Sequence, residues 1–149
     1  MALNLADELS SITTNVTASD WTEAIRLAGS GLVAGGVTTD DYTEQMIAAV
    51  EEHGPYIVIA PGVALAHARP SEAVLKEGLS WVSLALPVEF GHKANDPVSL
   101  VIGLAALNHT SHIEILKAVA GVLSNPAAKK SLGAATSEEE VRSILTNLA

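Results

Sequence analysis

Apolar positions change their spacing along the chain, and each change marks a change of element. Leu3, Leu5 and Leu9 predict a short helical turn, and the β-branched stretch 12–17 predicts a first strand. Ile25, Leu27, Ala28, Leu32 and Val33 then recur at mostly helical spacing, opened by Ser19 or Asp20 with Glu23 just inside and closed by Gly35 and Gly36. A second helix follows, capped by Thr39 or Asp40, with Tyr42, Met46, Ile47 and Val50 on one face and Glu44, Glu51 and Glu52 on the other. His53, Gly54 and Pro55 end it, and His53 is explained there as a cation at a helix C-terminus.

Strand-like spacing takes over next. Residues 56–60 form a short apolar run that Pro61 and Gly62 break, and Pro70 biases Arg69 away from the helical region. Residues 61–70 are therefore expected to be an ordered loop or short extended piece that presents its side chains. Residues 71–78 are polar connection, 78–86 a partly alternating strand and 87–97 a turn-rich loop. The nearly continuous apolar run 98–107 has the pattern of a central strand covered on both faces. Three helices close the chain. Thr110 or Ser111 caps 113–123, Asn125 and Pro126 start a short one, and Ser137 followed by three glutamates opens the last, with Val141, Ile144, Leu145 and Leu148 inward. The order β-α-α-β-β-β-α-α-α, with no internal repeat or linker, predicts one α/β domain over residues 1–149: a three-layer α/β/α sandwich with a mixed β-sheet.

Composition narrows the class. A chain of 149 residues buries about two thirds of the surface its unfolded form exposes, so it needs no staples. It has no cysteine, which excludes disulfides and thiolate chemistry and fits a reducing cytoplasm. The start lacks a basic region followed by an apolar core, and no run approaches the ~18 apolar residues of a membrane span, so a cytoplasmic protein with no membrane insertion is expected. The net charge of -9 is uneven, because residues 1–60 hold nine acids against a single base, Arg26. That disfavours nucleic acid as a partner and suits a basic protein, with Asp40, Asp41 and Glu44 as candidates for the rim of a docking surface. Aromatic residues make up only 3%, so a stacking platform is not expected.

Two histidine-bearing segments carry the candidate chemistry. His67 and Arg69 stand on a small-residue background of Val63, Ala64, Leu65, Ala66 and Ala68, where low polarity would strengthen charge interactions. His109 and His112 fall where the most buried strand gives way to a helix, the position at which α/β proteins bind anions. His109 by itself reads as an exposed cap-region residue. Helix-start amides and a neighbouring imidazole there would hold a phosphoryl or carboxylate group, and His67 at another strand exit could face the same crevice. Arg69 could bind a phosphoryl oxygen or pair with Glu72.

Together, the segment 61–70, which contains His67-Ala-Arg-Pro70, and the segment 104–116, which contains Asn108-His-Thr-Ser-His112, resemble the IIA component of the bacterial phosphoenolpyruvate-dependent sugar phosphotransferase system, PTS EIIA type 2. Within the mannitol and fructose type, the His-Ala-Arg-Pro form is similar to the ascorbate-specific branch. Many relatives have proline where this chain has Ala66. The resemblance implies a phosphotransferase without a cofactor. His67 would be its tele-phosphorylated nucleophile, charged by the histidine phosphocarrier protein HPr and discharged onto a cysteine of the IIB component. His112 would assist, and the membrane IIC transporter would be an indirect partner. Two other readings stand beside this one. A phosphorylation-dependent regulatory domain would share the fold, and a metal hydrolase would use His67, His109 and His112 as ligands, although only Glu114 is placed near them as a base.

Overall fold

The structure is a computed structural model and describes residues 5–147, so the expectations for Leu3 and Leu148 lie outside the described residues. A short helix α1 (Leu5–Glu8) leads into β1 (Leu9–Val16), and helices α2 (Trp21–Ala34) and α3 (Asp40–His53) follow. Four strands come next, β2 (Val58–Ala60), β3 (Val63–Ala66), β4 (Gly78–Val88) and β5 (Val98–Ala105). Helices α4 (His109–Leu123), α5 (Pro126–Ala134) and α6 (Glu138–Asn147) complete the order. Local chemistry explains the helix starts. Asp20 accepts a hydrogen bond from the Glu23 amide at 2.9 Å while the Glu23 carboxylate reaches back to the Ser19 amide, a reciprocal cap. Asn125 accepts from the Ala128 amide at 3.1 Å, with Pro126 at the first helical position.

The five strands form one mixed sheet in the order β1-β4-β5-β3-β2. β1 runs parallel to β4 and β3 parallel to β5, whereas β4 with β5 and β2 with β3 are antiparallel. Side chains alternate across this sheet and build two cores. Ala64, Ala66, Val82, Val101 and Ala105 pack under α2 and α3. Val63, Leu65, Trp81, Ile102 and Leu104 pack on the other face with Ile115, Val119, Leu132, Val141 and Leu145 from the last three helices. The result is the expected α/β/α sandwich.

β3 is the main departure from the expected order. Residues 61–70 do contain an extended piece, but its four residues 63–66 are all buried rather than displayed. They are paired along both edges by β2 and β5 and covered on both faces, Ala64 and Ala66 by one core and Val63 and Leu65 by the other, and an apolar run of four is too short to separate a buried strand from a loop by spacing. Tyr56 lies in a turn rather than a strand, because Tyr56 N–H donates to the Gly54 carbonyl and Val58 N–H to that of Pro55. β4 runs on through Pro87 to Val88, and its pairing with β5 skips from Ser83 to Val88, so proline's missing N–H breaks no ladder bond. α4 begins at His109 rather than at 113, because Asn108, not Thr110 or Ser111, caps it by accepting from the Ser111 amide at 2.9 Å.

The turn-rich loop is tied to the sheet. Asp96 gathers the amides of Phe90, Gly91 and His92, the closest at 2.7 Å, and Gly62 N–H donates to the Asn95 carbonyl at 2.9 Å. Gly62 itself turns the β2–β3 hairpin at a φ of 77°, a left-handed conformation that favours glycine. Among the described residues, no helix is long and apolar enough to cross a membrane.

Candidate functional site

His67 is the first residue after β3, at the carboxyl end of a strand that runs parallel to β5 beside it. Its Nδ1 lies 2.8 Å from the Leu65 carbonyl oxygen. A carbonyl can only accept, so in the neutral ring the proton is on Nδ1 and Nε2 keeps its lone pair. Burial pushes the pKa of this imidazole below its ordinary 6.5, against the opposing pull of the Leu65 carbonyl, which favours the neutral, nucleophilic form.

His112 comes to it from α4, one turn past the Asn108 cap, with the two ring centroids 5.2 Å apart. Its pKa is also lowered, first by burial and then by the neighbouring His67 and His109. The buried Tyr42 sets the two strand ends against each other. Its hydroxyl lies 2.7 Å from the Leu104 carbonyl and 3.1 Å from that of Ala68, and it accepts the Ala68 amide at 3.0 Å. One phenol on α3 thereby fastens the residue after His67 to the end of β5. Burial raises that phenol to a pKa of about 12, so it is protonated at neutral pH.

Both histidines line a cleft of about 1070 Å³ that also takes in His109, Arg69 and the C-terminal half of α3. Arg69 is exposed there and, among the described residues, makes no ion pair with Glu72. Its charge is felt by the Tyr56 phenol instead, where it opposes the rise that burial causes. His109 is exposed, as its cap-region reading implies, yet it borders the same cleft. Among the described residues, no three His, Asp or Glu side chains converge as metal ligands. Two juxtaposed imidazoles, one with a fixed tautomer, beside a cation and the positive end of a helix have the chemistry to receive an anionic group and to offer it a nitrogen lone pair.

A family described as "Phosphoenolpyruvate-dependent sugar phosphotransferase system, EIIA 2" matches residues 8–148. The chain belongs to this family. EIIA components are phosphotransferases that relay phosphate within that system. The ascorbate-specific PTS system EIIA component of Shigella boydii serotype 4 is 36% identical over 153 aligned positions, covering 99% of each chain. Among solved structures, the mannitol-specific cryptic phosphotransferase enzyme IIA of Escherichia coli superposes with a TM-score of 0.86 at 33% identity, over 97% of this chain and 99% of that one. The mannitol IIA of Escherichia coli in complex with phosphorylated enzyme IIB superposes with a TM-score of 0.81 at 28% identity, over 93% and 95% of the two chains.

In this EIIA chain the sequence reading missed three residues that shape the cleft. Spacing puts Tyr42 on an apolar helix face, and the signal for more is its hydroxyl, since a buried phenol needs a partner. Helix-end chemistry accounts for His53 and the apolar run for Tyr56, yet both line the cleft. No spacing rule connects either of them to His67.

Proposed function

We propose that this EIIA chain, as one domain over residues 1–149, carries a phosphoryl group on Nε2 of His67. HPr would deliver it and a cysteine of the IIB component would take it, in a cytoplasmic relay serving L-ascorbate uptake by a membrane IIC transporter. The observation that carries this reading is the hydrogen bond from Nδ1 to the Leu65 carbonyl, which leaves Nε2 as the free nitrogen of a ring lining the cleft. The Nε2 lone pair attacks phosphorus as the P–N bond to the HPr histidine breaks. The Nδ1 proton stays in place, and the charge developing on the ring is supported by the Leu65 carbonyl. In the second transfer the IIB thiolate attacks phosphorus, and Nε2 leaves with its electron pair. His112, Arg69 and the start of α4 are placed to stabilise charge on the equatorial oxygens, which is most of the work that phosphoryl transfer asks of a protein.

Ascorbate rests on the relatives that carry that name, at 36–37% identity over nearly the whole chain. The IIB partner rests on the mannitol complex. The test is to incubate the protein with phosphoenolpyruvate, enzyme I and HPr and to map the acid-labile phosphate. It is expected on His67 and absent from a folded His67→Ala variant, whereas phosphate on His109, His92 or His53 overturns the assignment. Offering ascorbate-type and mannitol-type IIB proteins in parallel then tests the sugar.

A further inference from the structure

Tyr56 has 43% of its surface exposed, yet its ring makes two edge-to-face contacts. One is with His53, at a centroid distance of 6.1 Å and 81° between planes, and the other with His67, at 5.5 Å and 85°. His67 in turn meets His112, so four rings follow one another along the cleft. Two turn hydrogen bonds hold the Tyr56 backbone between α3 and β2, and among the described residues the Tyr56 hydroxyl makes no hydrogen bond. What Tyr56 offers the site is therefore its ring. An imidazole held only through Nδ1 can still swing about that bond, and a second fixed contact is needed to set its plane.

We propose that Tyr56 is a positioning residue for His67, its ring shielding the imidazole from water and fixing the plane in which Nε2 meets phosphorus. The proposal rests on the reading of His67 as the phosphoryl carrier. Other groups that face His67 or the same cleft are His109 and His112 on α4, Arg69 beyond β3, and Glu52 and His53 at the end of α3. None of them replaces an apolar wall. Without the ring, water reaches the imidazole and favours its charged form, so the His67 titration moves up toward its ordinary 6.5.

The experiment follows the ring nitrogens of His67 by nitrogen-15 NMR from pH 5 to 8 in unphosphorylated wild type, Tyr56→Phe and Tyr56→Ala. Melting temperature and the rate of phosphate acceptance from HPr are measured on the same samples. Wild type and Tyr56→Phe are expected to share a midpoint below 6.5 and a single Nδ1-protonated tautomer. Tyr56→Ala is expected to keep that tautomer, because the Leu65 carbonyl sets it, but to titrate higher and to accept phosphate about tenfold more slowly, because small misplacements of reacting atoms are costly. A Tyr56→Ala protein with wild-type titration and rate overturns the proposal, as does a Tyr56→Phe protein as impaired as Tyr56→Ala, which assigns the role to the hydroxyl. Absence of phosphate from His67 in wild type would instead sink the relay, and the titrations would still decide whether Tyr56 holds the ring.

Discussion

His67 and His112 share one cleft and both resist protonation, which links activity and stability to acid in the same direction. On the proposed relay, acceptance of phosphate needs the neutral ring, so its rate should hold from pH 8 to about 6.5 and fall only through the lowered midpoint of His67. Stability follows by linkage. Above the ordinary 6.5 both rings are neutral in the folded and the unfolded chain; below it the unfolded chain takes up protons that the folded chain resists, so stability falls toward the lower folded values. Urea midpoints at pH 7.5 and 5.5 should show this drop, and a His67→Ala, His112→Ala double variant should lose part of it. On the proposed relay, His112→Ala should still take phosphate on His67 but about a hundredfold more slowly, the usual cost of one preorganised donor. An unchanged rapid-quench rate would make His112 a packing residue.

Between elements, the site depends on how closely α2, α3 and the sheet approach. A Cβ added at Gly29 would lie 2.1 Å from Thr43 Oγ1 on α3 and 2.8 Å from its Cβ, so the two helices are packed to the limit of a missing methyl group. Gly29→Ala should destabilise by about 1–3 kcal/mol through overpacking, against the ~1 kcal/mol that alanine's helix propensity would give back. Adding Thr43→Ala removes the two nearest atoms and should recover part of the loss in urea unfolding. α3 then delivers Tyr42, and Tyr42→Phe leaves buried partners on Ala68 and Leu104 unsatisfied. That should cost about 1–3 kcal/mol and lower the melting temperature by roughly 2–4 °C per kcal/mol. A loss of transfer beyond what unfolding explains would show that the same phenol also sets His67.

Across the whole molecule, charge and cleft are arranged differently from what the linear count suggests. Asp40, Asp41 and Glu44 do not line the cleft, and Glu44 is paired with Arg26. They occupy the first turns of α3, whereas Glu52 at its far end borders the site, ~18 Å along the axis from Asp40 at 1.5 Å per residue. On the proposed relay, a basic partner docking over His67 is expected to meet Glu52 before Asp40 or Asp41. Glu52→Lys should weaken the salt dependence of transfer from HPr more than Asp40→Lys and Asp41→Lys together, since rim charges act over only ~8–10 Å at physiological ionic strength. Equal effects from the two variants would mean that the net charge steers docking without a defined rim.

The layered class, the two inward-facing helices before the sheet, the central run 98–107 and the two histidine segments are all legible in the chain. Each of these is written in residues close together in the chain, where spacing, caps and prolines act locally. Local spacing reads β3 only as an ordered loop or short extended piece, because a four-residue apolar piece becomes a sheet strand only when β2 and β5 lie on either side of it. Local spacing likewise does not link Tyr42 or Tyr56 to His67, whereas the family resemblance already pairs His67 with His112. Tyr42 lies 25 positions before His67 and Tyr56 11 positions before it, and His112 lies 45 after it. Only the parallel pairing of β3 with β5 brings their ends together, and only the fold of α3 over that pair places a phenol and a second ring against the imidazole. Long-range pairing in space has no period in sequence, and that is why the fold, not the spacing, settles which side chains surround the His67 imidazole.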